Sequence, residues 1–212
     1  MLTACAVGYR CFVGFANSDV MRLRLITLVV LVVSSAVACS AEVGPMPLDE
    51  MTQRSWYIVL ARVSRVAVVD DVKLAELEVS CVLKGDANVA HLYYWASPGL
   101  ACDVSDAEAG EEGLYFLWYP DSDVPRSKEH LSFLERAHSF TQGERVYLLE
   151  HWGRGRLLPE VVDGESFLYA HKHGEVMFPT TLEIIDSPDP TEPDLGLVRL
   201  YDVLSFITEC GA

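Results

Sequence analysis

The chain has 212 residues, of which 50% are hydrophobic, and it carries 16 lysines and arginines against 31 aspartates and glutamates. This length and apolar content are typical of one folded domain with a short addition, and they exclude a disordered chain. The formal charge of -15 disfavours nucleic acid and anionic lipid head groups as partners, because their phosphates repel an acidic protein.

The first forty residues have the pattern of an export signal. Arg22 and Arg24 precede an uncharged run of fourteen residues, 25–38, which ends in the small residues Ala-Val-Ala. This order is typical of a signal peptide, and the run is shorter than the roughly 20 residues of a membrane-spanning helix. We therefore predict that residues 1–38 are a signal peptide, and that residues 1–20 reflect a start codon assigned too far upstream.

Cys39 has three interpretations. The stretch from Ser35 to Cys39 resembles a bacterial lipobox, in which the cysteine is lipidated and becomes the first mature residue. Alternatively, Ala-Val-Ala is an ordinary cleavage site that leaves a free Cys39 amino terminus, or cleavage further on removes Cys39. The first interpretation predicts a lipoprotein of the cell envelope, and the others predict a secreted protein. Export would place the chain where disulfides persist.

The mature chain begins with a segment, 39–54, that is predicted to be an extended lead-in because it carries Pro45 and Pro47. The remainder, 55–212, reads as a single domain without an internal linker. Its first strand is predicted over 56–69, with a bend or bulge where polar residues interrupt the apolar pattern.

A second strand follows the turn at Asp70-Asp71. It has nearly unbroken apolar and polar alternation, and its predicted inward set is Ala75, Leu77, Val79, Cys81 and Leu83. A third strand is predicted over 89–96, with Leu92 and Tyr94 on one side. A fourth, 114–119, is apolar on both faces and therefore predicted to be covered on both.

This order of strands resembles the netrin-like module of the tissue inhibitors of metalloproteinases and their bacterial relatives. The resemblance covers about residues 54–120, and its most specific parts are Leu83-Lys84-Gly85 and the Gly-x-Tyr-x-Leu pattern of Gly113 to Leu117. It implies a mainly β protein built on an OB-type (TIMP-like) five-stranded barrel. It also implies a disulfide from Cys102 to the amino-terminal cysteine, here Cys39. The second cysteine of the inhibitors' Cys-x-Cys start is absent, since Cys39 is followed by Ser40 and Ala41.

Beyond Pro120 we predict additional strands and hairpins, one middle helix and a C-terminal amphipathic helix. The middle helix is expected over 128–140. The additional strands are expected at 145–150, 156–162, 166–171 and 175–178. The proline-rich stretch 186–194 is expected to be a surface loop. The C-terminal helix is expected to bury one stripe, formed by Leu197, Leu200, Tyr201, Leu204 and Ile207.

The cysteines that remain after export are expected to have different roles. Cys81 is predicted to be a small core residue. Cys39, Cys102 and Cys210 are the disulfide candidates, because Cys210 near the chain end can take either partner.

Catalytic patterns such as G-x-S-x-G and H-E-x-x-H are missing, so the sequence predicts neither an enzyme nor a cofactor. His171 and His173 form a metal-ligand candidate, because alternate residues of a strand share a face. Two histidines are too few for a closed zinc site, which favours an exposed hairpin tip instead.

Three functions follow from these patterns. The first is an exported or lipid-anchored, non-enzymatic binding module for an unknown protein or glycan, which touches the membrane only through a possible lipid on Cys39. The second is a metalloprotease inhibitor that uses a free Cys39 amino terminus. The third is a metal-dependent site at His171 and His173.

Overall fold

The computed structural model describes residues 44–69, 71–97, 105–119, 137–151, 153–170, 176–186 and 196–211, all of which belong to one compact unit. In chain order the elements are β1 (Met46–Pro47), α1 (Leu48–Arg54), β2 (Tyr57–Val69), β3 (Val72–Lys84), β4 (His91–Trp95), β5 (Glu112–Trp118), a helical segment α2 at 137–141, β6 (Val146–Leu149), β7 (Arg156–Leu157), β8 (Glu160–Val162), β9 (Glu165–Tyr169), β10 (Val176–Met177), β11 (Ile185–Asp186), β12 (Gly196–Arg199) and α3 (Leu200–Gly211).

Five strands form a closed barrel. The order along the sheet is β2-β3-β4-β6-β5, and β5 pairs back onto β2. β4 and β6 run parallel, whereas the other neighbours in the ring are antiparallel. This is the strand order of an OB-type barrel, and it confirms the predicted fold class.

The barrel interior is filled by alternate side chains of its strands. Leu77 is fully buried there, as predicted, and Val79 packs against the same cluster. Leu92 and Tyr94, which were predicted to share one side of their strand, are both buried in it. A second cluster lies on the outside of β2 and β5, where α1, α3, β9 and β12 supply the covering side chains. A third, smaller cluster joins Leu74 and Tyr93 to α2. The strand β5 is therefore buried on both faces, as predicted.

Two bulges in β3 reverse the predicted alternation near its end. Leu60 pairs with Cys81 while Ala61 pairs with Val79, so Ser80 is an extra residue in the ladder. One inserted residue moves the side chains that follow it to the opposite face, until the second extra residue, Leu83, shifts the register again. Cys81 is consequently exposed, and the prediction that it is a core residue is wrong. The bulge predicted in β2 is confirmed, because Val63 and Arg65 pair with the adjacent residues Leu77 and Glu76.

The lead-in is not extended throughout, because Leu48–Arg54 is helical. Pro47 occupies the extended position before the helix, where its missing N–H costs nothing. Asp49 and Glu50 lie in the first turn and complement the helix dipole. Leu48 and Met51 are fully buried, so packing against the outer cluster stabilises this short helix.

The strand predicted over 156–162 is two strands in different sheets. β7 pairs with β5, whereas β8 pairs with β9 in a separate four-stranded sheet. Pro159 lies between them and cannot donate a ladder hydrogen bond, which separates the two pairings. Within residues 145–170, the first two strands therefore belong to the sheet of the barrel and the last two belong to the second sheet.

The C-terminal helix starts later than its apolar stripe predicts. Leu197 belongs to β12 and pairs with Tyr169, so the helix begins at Leu200. The later start changes the buried face: Val203 and Ile207 are fully buried, and Tyr201 is 76% exposed. The predicted place of Tyr201 in the stripe is therefore wrong, while that of Ile207 is confirmed.

Candidate binding site at the barrel mouth

Four aromatic residues meet at one end of the barrel. Trp56 and Tyr57 lie at the start of β2, Tyr119 follows the end of β5, and Tyr147 lies in β6. The start of β2 and the end of β5 coincide because these strands are antiparallel, with Tyr57 opposite Leu117. We call these four residues, together with Arg145, the aromatic mouth.

The four rings form a continuous chain. The ring centroids of Trp56 and Tyr119 are 5.8 Å apart, and those of Tyr119 and Tyr147 are also 5.8 Å apart. Tyr147 then meets Tyr57 edge-to-face at 5.4 Å. These spacings lie within the favourable range for tilted and edge-to-face aromatic pairs, each of which contributes about 0.5–1.5 kcal/mol beyond its burial. The rings therefore hold one another in fixed orientations.

Exposure varies along this chain of rings. Trp56 is 42% exposed at the outer end, whereas Tyr147 is buried. The guanidinium carbon of Arg145 lies 5.3 Å from the centroid of the Tyr119 ring, in a cation–π contact. Burial raises the pKa of Tyr147, and the neighbouring Tyr57 raises it further, while Arg145 opposes both effects. The mouth thus presents an indole and one cation to solvent, next to two half-buried phenol rings and one buried phenol ring.

The Leu83-Lys84-Gly85 motif supports the mouth from below. Lys84 Nζ donates hydrogen bonds to the carbonyl oxygens of Thr52 and Gln53, at 2.7 and 2.9 Å, and so ties the end of α1 to the barrel. Gly85 has a φ of +112° and lies directly against the ring of Tyr57. The motif therefore positions both the helix that precedes Trp56 and one ring of the mouth.

A buried carboxylate lies where α1 meets the end of β6. The side chain of Glu150 is almost fully buried, and its Oε2 is 3.8 Å from Nε of Arg54. Burial raises the pKa of Glu150, and the charge of Arg54 opposes that shift. The next residue, His151, donates from Nε2 to the carbonyl oxygen of Gly44 at 2.7 Å, which requires a proton on that nitrogen. These contacts hold the lead-in against the barrel.

Of the disulfide and metal-ligand candidates that the sequence singled out, only Cys210 lies within the described residues. Cys39, Cys102, His171 and His173 lie outside the described residues. Cys210 is exposed in the last turn of α3 with a free thiol, and the described part of the chain contains no disulfide. Within the same ranges no three side chains of histidine, cysteine, aspartate or glutamate converge as metal ligands.

Sequence patterns did not identify the aromatic mouth, although one signal was present. Trp56 is the first residue of one predicted strand and Tyr119 is the last residue of another, and an aromatic side chain at a strand end can reach the rim of a barrel. Their meeting depends on which strand ends coincide, and strand patterns alone do not specify this.

Neither a known protein family nor a curated protein matches the chain. Among the helices in the described ranges, none is both long and apolar enough to cross a membrane.

Proposed function

We propose that the protein is an exported, non-enzymatic binding module that holds a glycan partner at the aromatic mouth. The single observation that carries this proposal is the half-exposed indole of Trp56, fixed against Tyr119 at the rim of a closed barrel. Tryptophan and tyrosine combine an apolar face with a polar edge, which suits ring-shaped, partly hydroxylated ligands. OB-type barrels commonly bind oligosaccharides and other extended ligands through their loops and outer faces.

The charge of the chain narrows the glycan class. A net charge of -15 repels uronic acids, sulfated sugars and nucleic acids, particularly at low salt. Neutral and amino sugars carry no such penalty. The partner is therefore a neutral or amino-sugar polymer of the kind that an exported protein meets outside the cytosol.

The test compares two aromatic truncations by titration calorimetry. Trp56→Ala removes the exposed ring of the mouth, whereas Tyr201→Ala removes a 76%-exposed ring on α3, outside the aromatic mouth. The probes are neutral hexose oligosaccharides and N-acetylated amino-sugar oligosaccharides, with uronic-acid oligosaccharides for comparison. We expect Trp56→Ala to weaken binding about tenfold or more, because loss of one aromatic stacking partner costs on the order of 1–3 kcal/mol. Tyr201→Ala should bind like the wild type.

Two outcomes would overturn the glycan assignment. One is an equal loss of affinity in both variants. The other is no binding to any of the three probes, combined with photo-crosslinking from position 56 to a protein of the envelope, which would assign the mouth to a protein partner instead.

The state of the mature amino terminus tests the export part of the proposal. Intact-mass analysis should find cleavage before Cys39, with or without a lipid on its thiol. An acylated Cys39 would exclude the inhibitor alternative, which needs a free amine to bind a protease metal. An uncleaved chain retained in the cytosol would contradict export altogether.

A further inference from the structure

A groove lies on the outer face of the barrel, beside the second sheet and the start of α3. Its volume is about 450 Å³, within the range of about 300–1,000 Å³ that is typical of small-ligand sites. Residues of β2, β3 and β5 line it from the barrel, and Pro159, Ser166 and Leu200 line it from outside the barrel. We call this cavity the lateral groove. Arg62, which lines it, is six residues beyond Trp56, or about 20 Å along an extended strand, so the groove is separate from the aromatic mouth.

Three charged side chains cross the lateral groove in a row. Glu78 on β3 and Glu112 on β5 are both register partners of Arg62 on β2. Residues directly opposite each other in neighbouring strands project from the same face, with Cβ atoms about 5 Å apart. All three residues are exposed, and all three line the groove. The groove thus presents a negative, a positive and a negative charge in order, over about 10 Å.

The charges of this row are available to a ligand. None of the ion pairs between described residues includes Arg62, Glu78 or Glu112. A ligand with negative charge alone would be repelled by both glutamates, and a ligand with positive charge alone would meet Arg62 in the middle of the row. A ligand with one carboxylate and two cationic groups matches the row in sign and in number.

Apolar side chains accompany the charged row. Leu60, Pro159 and Leu200 line the groove and are half-buried. Such a surface packs against the methylene stem of a long side chain while the charged end of that side chain stays in water. Gly113 also lines the groove, and a Cβ on it would lie 2.9 Å from the carbonyl oxygen of Leu157. Only glycine therefore lets the chain before Pro159 approach β5 this closely.

We propose that the lateral groove binds a free basic α-amino acid of the lysine type. Arg62 binds the carboxylate, which a planar guanidinium holds through two parallel hydrogen bonds. Glu78 and Glu112, on either side of Arg62, bind the α-ammonium and the side-chain ammonium. The methylene stem of the ligand packs on Leu60 and Leu200. This assignment is independent of the glycan proposal, because the two sites share no residue.

The charge of the whole chain favours the same ligand. A basic amino acid carries one positive charge in excess, and a chain of charge -15 attracts it at long range. Binding should therefore weaken as the salt concentration rises, because salt screens this attraction and the exposed contacts of the row.

An NMR titration of the purified protein at about 0.05 M salt tests the ligand class. Lysine should bind saturably, with a dissociation constant below about 10 mM. Cadaverine is lysine without its carboxylate, and norleucine is lysine without its side-chain ammonium. Each should bind at least about fivefold more weakly than lysine, and glutamate should not bind. The absence of saturable lysine binding would overturn the proposal, and so would equal affinity for lysine and either analogue.

Substitutions in the row test the residues. Glu112→Gln should weaken lysine binding at least about fivefold. Glu209→Gln makes the same change in net charge at an exposed position of α3 and should alter the affinity less than about twofold. Arg62→Gln should weaken the binding of lysine but not that of cadaverine, which has no carboxylate.

Two results with these variants would also overturn the site. Equal losses in Glu112→Gln and Glu209→Gln would mean that the ligand responds to net charge alone. Equal losses of lysine and cadaverine binding in Arg62→Gln would mean that Arg62 does not hold the carboxylate. If a variant is poorly folded, the ligand series on the unmodified protein still decides the proposal.

Discussion

The ring of Tyr57 lies so close to Gly85 that a methyl group on Gly85 would overlap its Cδ1 atom. The same glycine has a φ of +112°, a conformation that other residues rarely adopt. Two independent constraints therefore require glycine at the end of β3, immediately below the aromatic mouth. This explains physically why the second strand ends in Leu-Lys-Gly.

Replacement of Gly85 by alanine should destabilise the protein more than a comparable change elsewhere. Gly110 is the matched control, because its φ is +98° and nothing lies within 4 Å of a Cβ built there. Gly110→Ala should cost about 1–2 kcal/mol through backbone strain alone. Gly85→Ala should cost roughly 1–3 kcal/mol more, because Tyr57 must move. Urea unfolding measures both, and equal losses would contradict the packing argument.

Lys84→Met should loosen α1 from the barrel. The substitution removes two charge-assisted hydrogen bonds to the carbonyl oxygens of Thr52 and Gln53, and we expect a loss of about 1.5–3 kcal/mol in the free energy of unfolding. Lys73→Met on the same strand removes only a solvent-exposed ion pair with Asp106 and should cost less than about 1 kcal/mol. If the two variants unfold at the same urea concentration, Lys84 does not hold the helix.

Glu150→Gln should change how stability depends on pH. Burial raises the pKa of Glu150 above its ordinary value of 4.5, so the folded chain binds this proton more tightly than the unfolded chain. Its contribution to stability is therefore greatest below pH 4.5 and is lost as the pH rises through the raised pKa. The variant should gain stability over the wild type as the pH rises through this window.

Urea unfolding at several pH values measures this difference. The control is Glu209→Gln, a substitution at an exposed position of α3, which should stay within about 0.5 kcal/mol of the wild type at every pH. If the difference in free energy of unfolding between Glu150→Gln and the wild type does not vary with pH, the raised pKa of Glu150 does not control stability.

Two tyrosines inside the barrel should tolerate the loss of their hydroxyl groups. Tyr94 and Tyr115 are fully buried, and neither hydroxyl has a hydrogen-bond partner among the residues described. Burial raises the pKa of both. Since an unpaired buried hydroxyl costs about 1–3 kcal/mol, Tyr94→Phe and Tyr115→Phe should leave the free energy of unfolding unchanged or raise it.

Tyr169→Phe is the contrasting case, because the Tyr169 hydroxyl donates to Glu160 at 2.6 Å. This variant should lose about 1 kcal/mol. The free energies of unfolding are measured by thermal or urea denaturation. If Tyr94→Phe is less stable than Tyr169→Phe, the barrel hydroxyls do have hydrogen-bond partners.

Thiol labelling of the folded protein should modify Cys81 rapidly. The bulge at Ser80 places Cys81 on the exposed outer side of β3, so Cys81→Ser should also cost little stability. A maleimide reagent followed by peptide mass mapping measures both Cys81 and Cys210. Labelling of Cys210 would exclude a disulfide between Cys210 and Cys39 or Cys102. If neither Cys210 nor Cys81 is labelled, the exposed positions of both are contradicted.

Strand positions and the burial of alternate residues could be read directly from the chain. Leu77 points into the barrel because side chains alternate along a strand, and that alternation appears in neighbouring letters. The covered strand 114–119 and the bend near Ser64 were likewise visible as an unbroken apolar run and as polar interruptions. The export signal, Cys39, Cys102 and the two histidines stay predictions, because they lie outside the described residues.

The sequence by itself determined the positions of the first four strands and the inward direction of Leu77, since both depend on a period that local residues carry, whereas the OB-type class was implied by the family resemblance. Only the tertiary structure decided that Cys81 faces outward and that Trp56 meets Tyr119. A bulge exists only relative to the strand beside it, and a rim forms only where distant strand ends coincide. Both depend on pairings such as β2 with β5, between residues 50 to 60 positions apart, which local alternation does not encode.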